Sequence, residues 1–301
     1  MAHRPMRYPN RRNRTRWITS AWLLLAAFLA GPAAAETPAR IVSVGGAVTE
    51  ILFELGLGDR LVAVDSTSQH PPAARELPDV GYMRRLAAEP IVALDPDLVL
   101  AIEDSGPPAV LRQIREAGVR IVTVADDPSP AGVLAKVRAV AGAVDRPGAG
   151  QRLAERIAAD FAAASERVAA YEDRPRVLFL MSAGNGPPLA AGRDTAAANI
   201  IELAGGRNAM TGFAEYRPIT PEATVAAEPE VVLVGDRTLA ALGGAAALRR
   251  HPAIAATPAG QAGRIVAMDM LLLLGFGPRT PQAVRELAAA LHPDTAPADA
   301  P

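Results

Sequence analysis

Two stretches of the chain repeat one another. Residues 91–100 read IVALDPDLVL and residues 224–233 read TVAAEPEVVL. Each carries an acid–Pro–acid triplet directly before an apolar run, and at the same offset Glu89 falls on Glu222 and Arg84 on Arg217. RIVSV at 40–44 likewise echoes RVLFL at 176–180. A repeat this long is a whole lobe, not the turn of a solenoid. The chain is therefore expected to fold as two similar lobes. With 301 residues, 50% of them hydrophobic, it can bury one large core or two moderate ones. Aromatics make up only 4%, so those cores must be aliphatic.

The apolar runs at 40–44, 61–64, 98–102 and 120–124 are short, β-branched and continuous. Continuous runs mark parallel strands covered on both faces, with helices between them. From 148 to 172 the pattern changes: Leu153, Ile157, Phe161, Ala164, Val168 and Tyr171 recur at helical spacing. Pro147 suits a first helical turn and Pro175 closes the pattern. Such a helix would reach about 37 Å, long enough to be a strut between lobes. Strands at 176–181, 231–234 and 264–268 follow, with helices at 195–203 and 281–291. The expected fold class is α/β: two Rossmann-like lobes with mostly parallel sheets, joined by one long α-helix. The lobes are placed at 36–146 and 175–292, the helix at 147–174, and a Pro/Ala-rich disordered tail at 293–301.

Residues 1–35 are read as a cleavable secretory signal. Six arginines (Arg4, Arg7, Arg11, Arg12, Arg14 and Arg16) precede the apolar stretch AWLLLAAFLA at 21–30, and Ala33-Ala34-Ala35 supplies small residues for cleavage before Glu36. The apolar stretch is too short to cross a bilayer of roughly 30 Å. Arg11-Arg12 is only a weak hint of twin-arginine export. Cleavage removes six arginines and no acid, leaving a mature chain more acidic than the formal −1 of the whole. An acidic mature protein does not suit nucleic acid as a partner. The chain has no cysteine, which excludes a disulfide framework, a lipid-modified N-terminal Cys, thiolate chemistry and covalent haem attachment. With four histidines, of which His3 leaves with the signal, a His-rich zinc or copper site is not expected.

Two lobes on one strut leave a cleft, and ligands of open α/β sheets bind near the carboxyl ends of strands. The segment LPDVGYMRRL at 77–86 lies between strands, with Gly81 freeing the backbone beside Tyr82. Tyr82 is either a half-buried loop aromatic or a hard phenolate donor suited to ferric iron. Arg84 could lower the pKa of that phenol or pair with a carboxylate on the ligand. Arg217, preceded by Tyr216, is its counterpart in the second half. Two arginines facing across a cleft would suit a dianionic ligand; the alternative is surface arginines paired with local acids. His70 sits in a turn, and His251, before Pro252, is expected at the surface.

LPDVGYMRRL followed by IVALDPDLVL, LAAGRDTAAANIIELAGGRNA at 189–209, YRPITPEA at 216–223 and LLGFGPRTPQAVRELA at 273–288 together resemble the periplasmic haemin-binding proteins of bacterial haem ABC importers. The likeness runs from Arg40 to about His292. GYMRxL and GFGPRTP are fairly specific to that family, whereas the strand repeats belong to the wider group that binds siderophores and vitamin B12. The resemblance implies a periplasmic carrier of haem (Fe(III) protoporphyrin IX) with the class III binding-protein fold, little hinge closure, and an ABC permease dimer as partner. It implies Tyr82 as axial iron ligand, Arg84 and Arg217 as cleft arginines with Tyr216 beside them, and Glu89 and Glu222 as docking acids. Each glutamate also begins an apparent helix, where a carboxylate favours the dipole. Some relatives carry a second-ligand His in the loop at 182–187, which here reads SAGNGP. One haem per monomer, five-coordinate through Tyr82, is therefore expected.

Two alternatives remain. A ferric siderophore or cobalamin carrier would share the fold, but both tryptophans, Trp17 and Trp22, leave with the signal. An α/β enzyme is disfavoured. The turn at 45–50 lacks the spacing of GxGxxG, the only lysine is Lys136, and no Ser-His-Asp or Cys-His set stands out.

Overall fold

The computed structural model describes residues 1–3, 38–183 and 186–293. The expected signal segment, apart from its first three residues, and the expected tail, apart from Pro293, lie outside the described residues, as do Gly184 and Asn185. From Pro38 onward the described residues form one compact unit.

The first half runs β1 (Ile41–Val44), α1 (Gly46–Glu54), β2 (Leu61–Val64), α2 (Ala88–Val92), β3 (Leu98–Ile102), α3 (Pro108–Glu116), β4 (Arg120–Val124) and α4 (Pro130–Ala143). Its sheet has the order β2-β1-β3-β4 and every pairing is parallel. All residues of β1 and β3 are buried, as the continuous apolar runs required. Helix α5 (Pro147–Ala169) follows. The second half contains β5 (Arg176–Ser182), β6 (Leu189–Ala191), α6 (Ala196–Leu203), β7 (Arg207–Asn208), β8 (Tyr216–Pro218), α7 (Pro221–Ala226), β9 (Val231–Gly235) and α8 (Asp236–Ala241). Short helical turns at Ala245–Arg249, Pro252–Ala255 and Pro258–Ala262 lead to β10 (Ile265–Met268), α9 (Met270–Leu274) and α10 (Thr280–Leu291).

The second sheet, ordered β10-β9-β5-β6-β8, is mixed. β10, β9 and β5 run parallel, but β6 and β8 add antiparallel, and β7 pairs with β5 in parallel. The sequence does not signal β6 and β8, because three residues cannot display a strand period.

The acid–Pro–acid repeat has a structural cause. Asp95 and Glu228 both take left-handed backbone conformations (φ 46° and 45°). In the first half Arg40 Nε donates to the Asp95 carbonyl (3.0 Å), and the Arg40 amide donates to the Asp97 carboxylate (2.9 Å). In the second, Arg176 Nε donates to the Glu228 carbonyl (2.9 Å), and the Arg176 amide donates to Glu230 (2.8 Å). The same clamp thus ties the start of the first strand of each half to the turn before a neighbouring strand.

The lobes do not have wholly separate cores. One cluster joins Ile41, Leu52 and Leu100 of the first half to Phe179, Ile200 and Leu287 of the second, through Leu153, Ala154 and Ile157 of α5. Each half buries a second cluster on the other face of its sheet. At 23 residues α5 is about 35 Å long. It packs against α4 on one side and α10 on the other, as a strut should.

Gly150 sets how closely α5 approaches α4, since a Cβ there would lie 2.2 Å from the Ala141 Cβ. Helix propensity alone favours replacing this glycine, by up to about 1 kcal/mol. Steric overlap wins, so Gly150→Val is expected to destabilise the protein by roughly 2 kcal/mol, read as a lower urea midpoint. An unchanged midpoint would mean that the two helices can separate freely.

Candidate functional site

The turn at 82–85 is held at both ends. Val80 and Leu86 are buried, and residues 78–81 run along the edge of the first sheet. Val64 N donates to Pro78 O, Val80 N to Val64 O, and Ser66 N to Gly81 O. Gly81, at φ 93°, takes a conformation side chains rarely adopt, and its amide donates to Asp79 (2.7 Å). Beyond it the Arg85 amide closes a turn on Tyr82 O, while Gly106 N donates to Met83 O and Leu86 N to Gly106 O. Pinned backbone on each side thus presents a short outward turn.

Tyr82 is 39% exposed, and Arg84 is exposed as well. The Tyr82 hydroxyl and the Arg84 guanidinium have no hydrogen bond or ion pair among the described residues. Arg217 on β8 is exposed and equally without a partner, so the paired-surface alternative does not describe either arginine. Side chains that cost the fold nothing to remove, and sit on fixed backbone, are available to a ligand.

Tyr216 is half-buried. Its ring meets Phe179 edge-on, with centroids 6.4 Å apart. Burial raises its phenol pKa above the ordinary value, opposed by hydrogen bonds from Ala197 and Thr195 and by the positive charge of Arg84. That last influence crosses between the halves, from Arg84 on the first to Tyr216 on the second.

Glu89 and Glu222 are both exposed, at the first turns of α2 and α7. The Glu222 carboxylate is held below its usual range by its own amide and by Thr220, whose hydroxyl also accepts from Ala223 N. Capping and outward display therefore coexist at Glu222. His251 Nδ1 accepts from Ala253 N (3.2 Å), so it is committed to a helix start. His70 is half-buried; burial, then the charges of Arg279 and Arg75, hold its pKa below the ordinary imidazole range. Among the described residues no group of His, Cys, Asp and Glu could hold a bare metal ion, and no helix is long and apolar enough to cross a membrane.

Two further cross-half contacts escaped the sequence. Arg237 donates to Gln69 (3.0 Å) and Asn199 to the Pro128 carbonyl (3.0 Å). No local pattern reports such contacts, because their partners lie far apart in the chain. A concavity of about 900 Å³ in the second half is lined by Ala245, Arg249, Gly260 and their neighbours. It contains none of the candidate residues, and Arg249 is already bound to Gly260 O and Gln261 O.

Two α/β halves on one helical strut, with exposed cationic and phenolic side chains that have no partner among the described residues, define a binding protein of the bilobal transport type. The periplasmic binding protein family matches residues 41–270, and the chain belongs to it. It is similar to the periplasmic heme-binding protein BhuT solved with two hemes, at 46% identity and TM-score 0.81, covering 84% of this chain and 97% of that one. It is also similar to the apo periplasmic heme-binding protein RhuT from Roseiflexus sp. RS-1, at 45% identity and TM-score 0.82, covering 84% and 98%. The vitamin B12-binding protein of Vibrio campbellii (strain ATCC BAA-1116) is 26% identical over 215 residues, covering 71% of this chain and 75% of that protein.

Proposed function

We propose that this chain is an exported carrier that takes up haem between its two halves in the periplasm and delivers it to an inner-membrane ABC importer. The observation that carries the reading is the set of unpartnered side chains: the Tyr82 phenol and Arg84 on one half, and Arg217 on the other. Tyr82 supplies an oxygen ligand to ferric iron, and the two guanidiniums meet the propionates through charge-assisted hydrogen bonds. Tyr216 backs Arg217 and offers the exposed part of its ring to the macrocycle. The signal at 1–35 sends the chain out of the cytoplasm, and it acts there as a monomer and a carrier, not a catalyst. The similarity to haem-binding structures, stronger than to vitamin B12 binders, supports haem over cobalamin.

Titration of purified protein with haemin tests this directly. A strong Soret band with high-spin ferric features is expected, and cyanocobalamin should not compete. Competition by cyanocobalamin, or no Soret change, would overturn the haem assignment. The titration also reads stoichiometry. The described part of the 182–187 loop (Ser182, Ala183, Gly186 and Pro187) offers no imidazole, which supports a break at one equivalent. The second reading, a break at two equivalents, is favoured by the two hemes of the BhuT structure.

Glu89 and Glu222 stand at equivalent first turns of the two halves, as docking acids for a dimeric permease would. The Glu89→Lys/Glu222→Lys variant is expected to bind haemin with unchanged affinity and to lose transporter-dependent uptake. Normal uptake by that variant removes the docking role.

A further inference from the structure

Residues 275–279 connect α9 to α10, both in the second half, yet their anchors lie in the first. Lys136 on α4 is 1% exposed, and its ammonium donates to Asp126 (2.5 Å), to the Phe276 carbonyl (3.1 Å) and to the Gly275 carbonyl (3.4 Å). An ammonium has three hydrogens, and all three are used. Arg279 grips Glu50 of α1 with two bonds, Nη2 to Oε1 at 2.6 Å and Nε to Oε2 at 3.1 Å. Glu50 is 4% exposed. Between the two anchors, a Cβ on Gly277 would stand 3.3 Å from the Ala47 Cβ, so the backbone lies directly on α1.

We infer that this segment is an interlobe strap, and that Lys136, Glu50 and Arg279 are positioning residues that set the width of the cleft. A buried charge is tolerated only while its partners stay in place. Lys136 draws those partners from both halves, as does the Glu50–Arg279 pair. Any displacement of one half against the other strands an ammonium and a carboxylate away from water. Arg237–Gln69 and Asn199–Pro128 also cross between the halves, but they lie at exposed or half-exposed sites where water can replace them. The strap therefore fixes the span from Arg84 to Arg217 before ligand arrives, so the order needed for binding is built in beforehand. The consequence for ligand rests on the haem reading above; the geometry does not.

The absence of cysteine makes the test clean. Arg112→Cys on α3 and Ala240→Cys on α8, both at exposed positions, carry spin labels for pulsed distance measurement. The parent should give one narrow distance distribution, with or without haemin. Adding Lys136→Met should broaden that distribution and raise the haemin dissociation constant roughly tenfold. The Soret spectrum of the saturated variant should stay the same, since no iron ligand is touched. If Lys136→Met does not fold, Glu50→Leu, which removes both bonds to Arg279 without leaving a buried carboxylate, carries the same readout. A folded variant with the parent's distribution overturns the strap. Parent protein that shows the narrow distribution but binds no haemin would leave the strap standing and remove the haem reading instead.

Discussion

Tyr82→Phe is expected to raise the dissociation constant for haemin by at least about 100-fold, close to 2.7 kcal/mol, and to change the ferric absorption spectrum. The substitution keeps the ring and deletes one oxygen. That oxygen makes no hydrogen bond among the described residues, and the side chain is 39% exposed. The fold therefore loses nothing, and stability should stay within about 0.5 kcal/mol of the parent. On the proposed reading, whatever affinity disappears belongs to the iron–phenolate bond. Arg84→Ala should do less, about 1.5–2 kcal/mol for one charge-assisted hydrogen bond, and should leave the ferric spectrum unchanged. A Tyr82→Phe protein with the parent's spectrum, and affinity within threefold, would show that another group holds the iron.

Arg279→Met is expected to cost about 3 kcal/mol or more, lowering the melting temperature by roughly 6–12 °C. Glu50→Gln, which removes the other half of the same pair, should cost about 1 kcal/mol. The asymmetry follows from burial. The Glu50 side chain is 5% exposed and that of Arg279 21%. Desolvation is the largest influence on Glu50 and raises its pKa, with the Arg279 hydrogen bond and charge working against it. Removing Arg279 strands a carboxylate, whereas Glu50→Gln removes the charge that was penalised.

The pH dependence has a definite sign. Because Glu50 is raised in the folded state, its contribution is fully present below the unfolded carboxylate pKa and is lost as pH climbs through the folded value. Without Arg279 the folded value climbs further. The deficit of Arg279→Met should thus be small near pH 4 and grow toward neutrality. Urea unfolding of both variants at acid and neutral pH measures this. Equal deficits at the two pH values would mean that solvent reaches Glu50.

Much of the fold was legible because its signals are local. β1, β3 and β9 are unbroken β-branched runs, and α5 has Pro147 at its start and an apolar stripe through Leu153 and Ile157. Gly81 announced an unusual turn at Tyr82 for the same reason: glycine at positive φ is a one-residue requirement. The candidate site was less legible. Tyr216 was expected in the cleft beside Arg217, but it is half-buried and its ring also meets Phe179 edge-on, which nothing near Tyr216 in the sequence indicates. β6 exists only because β5 offers it an edge, and β8 because β6 does.

By itself the sequence determined the long buried strands, the helical strut, the echo between the two halves and the exposed turn at Tyr82. Each of these depends on residues a few positions apart, where periodicity and backbone preference act. Only tertiary structure decided that the halves share a core, that Arg84 and Arg217 have no partner among the described residues, and that the single lysine and Arg279 fasten one half to the other. The partners of a charge are chosen by packing, and Lys136 finds Phe276, and Glu50 finds Arg279, across more than a third of the chain.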